Sequence, residues 1–142
     1  MSKGYLVDIE LKNESLNYKS WVLNERQICD LEMILNGGFA PLNCFLNRDD
    51  YESVLSSMRL NNGSLWPIPI NLDVNEEFSR KINPGDKLTL KDKEGFSIAI
   101  IDIEDIWNPD LKKECMSVYG TTDNTHPGVD YLLNHSNPIY VG

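Results

Sequence analysis

The sequence predicts an α+β fold, a small sheet or barrel flanked by helices, from three observations. Two capped helical stripes occupy residues 24–59, and the apolar period then switches to alternation near Trp66. Turn signals at Asn83-Pro-Gly-Asp86 and Lys93-Glu-Gly95 cut the alternating region into strands. With 142 residues the chain is expected to be one domain, 1–142, and 41% hydrophobic residues suffice for a continuous core.

Taken in order, residues 1–12 contain YLVDIEL, where the spacing of Leu6, Val7, Ile9 and Leu11 suggests a short strand. Asn24 followed by Gln27 is a capping-box pattern, so a helix should start there, with Ile28, Leu31, Ile34 and Leu35 on its core-facing stripe. Asn36-Gly37 ends it, because glycine adopts the left-handed conformation that caps terminal carbonyls. Asn47 with Asp50 offers a second N-cap, and Tyr51, Val54, Leu55 and Met58 repeat the stripe up to Arg59.

After Asn61-Asn62-Gly63, Trp66, Ile68, Ile70, Leu72 and Val74 share one parity, with Pro67, Pro69, Asn71 and Asp73 on the other. Both prolines lack the same lateral donor, so this strand should be an edge at its start. Leu88 and Leu90 alternate with polar residues. FSIAIIDIEDI reads as a long strand, bulged near Ile100-Ile101, that forms a hairpin with them. Asn108-Pro109 is a cap followed by proline at the first helical position, with Leu111, Cys115 and Val118 on one side and Gly120 at the end. Thr125-His126-Pro127 opens a short helix carrying Val129, Leu132 and Leu133, and residues 138–142 form a last strand.

Charge and composition exclude several classes. A net charge of −9 repels phosphate backbones, so nucleic acid is not expected as a partner. Lys87, Lys91 and Lys93 are interleaved with Asp86, Asp92 and Glu94, which makes a solvated surface of them. No run approaches the ~20 apolar residues of a membrane span, and the first residues are not an apolar signal core, so no membrane is expected and the compartment is cytoplasmic. Cys29, Cys44 and Cys115 are odd in number and widely spaced, and read as buried thiols.

Catalytic patterns are missing. Residues 35–47, LNGGFAPLNCFLN, contain neither G-x-x-x-x-G-K-[ST] nor G-x-G-x-x-G, and follow a helix where those motifs need a strand. His126 and His135 form no His-x-x-x-His pair, and His126 before proline reads as helix entry. The adjacent carboxylates Asp49-Asp50 and Glu76-Glu77, and Asp102 with Glu104, sit at helix starts or on polar faces where solvation explains them. On the residues alone the role is open.

Residues 20–74 read SWVLNERQICDLEMILNGGFAPLNCFLNRDDYESVLSSMRLNNGSLWPIPINLDV. They resemble the start of the ATP sulfurylase (sulfate adenylyltransferase) family, with W-x-L-x-x-R-Q-x-C-D-L-E-x-I-L-N-G-G-F-x-P-L, then D-Y, R-L-x-x-G and P-I-P-x-x-L-D-V in order. Pro84-Gly-Asp-Lys-Leu, Ile98-Ala-Ile and VYGTTDNTHPGVDYLL extend the resemblance, which is unsupported only over residues 1–17. One departure is Cys44, where the family pattern commonly has glycine. Bulk there puts in doubt any role needing close backbone approach, though not the fold.

The resemblance implies a PUA-like N-terminal domain, a small β-barrel or mixed sheet with flanking helices. It implies a family reaction in which ATP and sulfate give adenosine 5′-phosphosulfate and pyrophosphate with magnesium present. That chemistry belongs to a following catalytic domain with a Q-x-R-N-x-x-H-x-x-H motif. Nothing of the motif occurs here, and Arg26, Arg48, Arg59 and Arg80 have no R-N-x-x-H context. No catalytic, cofactor-binding or metal-ligating residue is therefore carried over, and no cofactor is expected on this domain. ATP and magnesium go with the full-length enzyme. The expected role is scaffolding of the catalytic domain, in cis or as a separate chain; a stand-alone PUA-like module for RNA, a small ligand or assembly is the alternative. Phe39, Pro41, Phe45 and Trp66 are the candidates for burial against a neighbouring domain. The other reading is that they cover their own core.

Overall fold

A computed structural model describes residues 9–142. The strand expected over residues 1–12 lies outside the described residues up to Asp8. Its remainder is helical, since α1 spans Ile9–Ser15 and leaves Leu11 exposed.

Two three-stranded sheets carry the fold, and they are not joined into a closed barrel. The first contains β1 (Lys19–Val22), β3 (Lys87–Lys91) and β4 (Ser97–Asp102), with β3 central, parallel to β1 and antiparallel to β4. The second contains β2 (Leu72–Val74), β5 (Ile106–Trp107) and β6 (Ile139–Val141), all antiparallel with β6 central. Leu23, Leu88, Leu90 and Ile101 from the first sheet and its flank meet Leu72, Val74 and Val141 from the second in one core cluster. The α+β expectation holds, with mixed small sheets in place of a barrel.

Helix α2 (Glu25–Leu35) starts at Asn24 in a complete capping box: Asn24 Oδ1 accepts from the Gln27 amide, and Gln27 Oε1 accepts from the Asn24 amide. Leu31 and Ile34 are buried on its core face, and Gly37 at φ 81° turns the chain away from its end. Helix α3 (Arg48–Ser57) is capped by Asn47, whose side chain accepts from the Asp50 amide. Tyr51 and Val54 are buried, whereas Met58 adopts a left-handed cap conformation and is exposed.

Three expectations are corrected by sheet context. The alternation from Trp66 to Val74 yields a strand only over β2, and Ile68 is exposed; residues 66–71 are irregular where the prolines remove ladder donors. Asn71 and Asp73, expected on the polar side, are both buried. The long strand ends at Asp102, and the chain crosses to the second sheet before β5, while pairing with β3 runs unbroken through Ile100 and Ile101. The bulge itself lies at Ile98, since Lys91 pairs with Ser97 while Leu90 pairs with Ala99.

Short helix α4 (Glu76–Ser79) follows β2, its first turn holding Glu76 and Glu77. Helix α5 (Leu111–Tyr119) begins two residues later than expected, capped by Asp110, whose carboxylate accepts from the Lys113 amide. Gly120 ends it, as expected. His126 caps α6 (Pro127–Asp130) through Nδ1, which accepts from the Gly128 amide, and a single π-turn over Tyr131–His135 leads to β6. Of the cysteines, Cys115 is buried and Cys44 half-buried, while Cys29 is exposed on α2, off the stripe that faces the core.

Candidate functional site

The four sequence candidates for an interface occupy different environments. Phe45 is 3% exposed within the main core. Phe39 and Trp66 are half-buried against that core and meet edge to face, with ring centroids 5.6 Å apart. Pro41 is exposed, after a cis peptide bond. Around Trp66 the surface is apolar: Trp66 donates its backbone N–H to Met58 O at 2.7 Å, and Met58, Leu65 and Ile68 are 53%, 64% and 53% exposed. This hairpin, turned at Gly63, and the segment that follows it therefore expose three large apolar side chains.

The residues that sequence reasoning missed form a buried polar network beside that hairpin. Its centre is Asp73, whose side chain is 1% exposed. Asp73 Oδ1 accepts from Arg26 Nη2 at 2.6 Å and from Gln27 Nε2 at 2.8 Å, and Oδ2 accepts from the Asn137 amide at 2.8 Å. Arg26 also bonds Asp30 through Nη1 at 2.9 Å and reaches Tyr131 Oη through Nε at 3.4 Å. Burial pulls the Arg26 pKa down, but Tyr131, Asp73 and Asp30 outweigh it and raise the value. Gln27 is fully buried and bridges the network to Trp21, whose Nε1 donates to its Oε1. The cap signal was legible in the sequence; that the same glutamine also locks α2 to β2 was not, because Asp73 is distant in sequence.

A second buried carboxylate, Glu114, accepts Tyr51 Oη at 2.6 Å and Tyr140 Oη at 2.8 Å. Burial raises its pKa, opposed by these two hydroxyls and by the charge of Arg26. Tyr51, Tyr140 and Trp107 pack edge to face or tilted around it, which fixes the hydroxyls in place. Glu114 precedes the buried Cys115 on α5, so its inward aim follows from helix phase once the cap is set at Asp110.

These two networks border a pocket of about 180 Å³ between α2, residues 68–73, α5 and the π-turn. A wider cleft of about 320 Å³ lies between residues 42–47 and β4 and holds Asp50, Asp102 and Glu104. Each of its carboxylates is already engaged: Asp50 accepts the Asn61 amide, Asp102 pairs with Lys87, and Glu104 accepts Asn47 Nδ2. Among the described residues no group of three or more His, Cys, Asp or Glu side chains could hold a metal ion. No helix among them is long and apolar enough to cross a membrane.

A family model for the PUA-like domain matches residues 7–142. The sulfate adenylyltransferase of Eremothecium gossypii is 45% identical over 132 residues, which are 93% of this chain and 26% of that protein. That of Schizosaccharomyces pombe is 44% identical over 153 residues, covering 100% of this chain and 31% of the relative. Among solved structures, a hexameric APS kinase from Thiobacillus denitrificans superposes with a TM-score of 0.67 at 36% identity, over 72% of this chain and 21% of the other. The chain thus spans between a quarter and a third of the length of these sulfate adenylyltransferases.

Proposed function

The chain belongs to the PUA-like domain family, and from that premise we propose that it works as the N-terminal domain of a sulfate adenylyltransferase, scaffolding the catalytic domain and supplying no reacting group. One observation carries the reading: among the described residues, neither cleft offers a free cation. The cleft of about 320 Å³ has no arginine or lysine in its described lining, and the pocket of about 180 Å³ has only Arg26, which Asp73 and Asp30 hold. Transfer of an adenylyl group needs free cationic clamps for the charge that develops on phosphate. ATP, magnesium and sulfate then belong to the following domain, in cis or on a separate chain. The apolar hairpin of Met58, Leu65 and Ile68, backed by Trp66 and Phe39, supports a docking role. Cytoplasmic operation is part of the same reading, and three free cysteines suit it.

The isolated chain, incubated with ATP, sulfate and magnesium, should form no adenosine 5′-phosphosulfate, and measurable turnover would overturn the proposal. For docking, Leu65→Ser with Ile68→Ser should leave the isolated domain folded. The same pair placed in a full-length enzyme should lower its stability. An unchanged full-length enzyme would move the interface elsewhere.

A further inference from the structure

We infer that the pocket between α2, α5 and the π-turn is a receptor for the guanidinium group of an arginine side chain presented by a protein partner. The inference goes beyond the scaffold reading and does not depend on which protein supplies the arginine.

Charge is the first observation. Asp73 and Arg26 neutralise one another at 2.6 Å, which leaves Asp30 as a surplus carboxylate on the wall and Glu114 as a second beneath it. Asp30 Oδ2 is taken by Arg26, and its side chain is still 17% exposed. Burial raises the Asp30 pKa in spite of Arg26, as expected of an anion whose compensation is incomplete.

An unmet acceptor is the second. Asn71, 5% exposed, lines the pocket, and its Oδ1 has no hydrogen-bond donor among the described residues. Buried polar atoms without a partner are uncommon and costly, so this oxygen calls for a donor from outside the fold. Every side chain that aims charge at the pocket is acidic except Arg26, and Arg26 already directs each of its nitrogens at Asp30, Asp73, Asn71 O or Tyr131. An anion such as sulfate would meet surplus negative charge, and the one cation in the described lining is already committed to these oxygens.

The rim is the third. Tyr119, Tyr131 and Ile68 stand at its edge, 37%, 36% and 53% exposed. Tyr131 already lies beneath the Arg26 guanidinium, 5.9 Å from ring centroid to Cζ. A planar, weakly hydrated cation with several donors stacks on such rings and bonds carboxylate and amide oxygens together, which an ammonium does less well. The volume, about 180 Å³, suits one side chain better than a larger ligand.

The test titrates the 142-residue chain with N-acetyl-arginine amide, followed by NMR of the Asn71 side-chain amide and the Tyr119 and Tyr131 rings. Saturable shifts at all three groups are expected. N-acetyl-citrulline amide, which has the shape without the charge, should bind about tenfold more weakly, as should the arginine probe to Asp30→Asn. Equal binding of the two probes, shifts absent from Asn71, or saturation by inorganic sulfate at the same groups would each overturn the inference. The probe comparison uses the parent protein alone, so a variant that fails to fold does not decide it. Activity of the isolated chain with ATP and sulfate would sink the scaffold reading and leave these outcomes untouched.

Discussion

Glu114 titrates out of sight of solvent, and the sign of its effect can be worked out. A carboxyl raised in the folded state binds more protons there than in the unfolded chain between the two values. Its stabilising contribution is therefore complete below the ordinary carboxylate value of about 4.3 and is lost as pH rises through the folded value. Asp30, raised first by burial, adds to the same decline, whereas the lowered Asp123 and Asp130 act below that window. Glu114→Gln keeps an acceptor for both tyrosines and removes the proton. Thermal midpoints of this variant should fall less than those of the parent between about pH 4.5 and 8. Parallel slopes would give the titration to another group. Tyr51→Phe tests the same contact from the other side. It leaves Glu114 one donor fewer and should cost about 1–3 kcal/mol in chemical denaturation near neutral pH. None of this was legible in the sequence, where Glu114 is one acid in a polar helix. Its burial depends on Tyr51 and Tyr140, which arrive from α3 and β6.

Helix α2 shows what local sequence does specify. Asn24, Gln27 and the Leu31–Ile34 stripe give its start, face and end without tertiary information, and the structure agrees at each. Asn24→Ala should destabilise the domain by about 1 kcal/mol, the usual loss for an N-cap. Gln27→Ala should cost more, because it also removes one of the donors to Asp73 and the acceptor of Trp21 Nε1; a loss no larger than that of the cap variant would mean that the bridge to β2 contributes little. The short strands were harder to read. β2 and β5 contain 3 and 2 residues, too few for periodicity to separate them from neighbouring coil, and both depend on β6 for pairing. Asp110 took the cap expected of Asn108 because Pro109 is buried in the approach to α5 and does not open it. Gly128 illustrates a constraint that only the fold reveals: a Cβ there would overlap the Tyr119 ring, which itself stacks on His126 with centroids 4.8 Å apart.

At the scale of the whole molecule the two sheets share their apolar residues. Leu72, Val74 and Val141 pack in the same cluster as Leu88, Leu90 and Ile101, although no strand pairing among the described residues joins the sheets. Gly142 ties the second sheet to the crossing from β4. Its carbonyl accepts the Glu104 and Asp105 amides, its own amide donates to Asp105 O, and a Cβ would overlap the Leu46 carbonyl. The sequence pattern announced strands but not their division, because alternation reports which face is buried and not which neighbour pairs. If burial rather than pairing couples the sheets, they must unfold together. Trp21 reports on β1 in the first sheet and Trp107 on β5 in the second. Variants that retain tryptophan at only one of these two positions, with Trp66 replaced by Phe in both, should give coincident denaturant transitions. Leu72→Ala, which empties a fully buried site in the shared cluster, should then move both transitions together by about 2–5 kcal/mol. A shift at the Trp107 reporter with the Trp21 transition unmoved would mean that each sheet holds its own core, and that the pairing within sheets, not the packing between them, is what makes the fold cooperative.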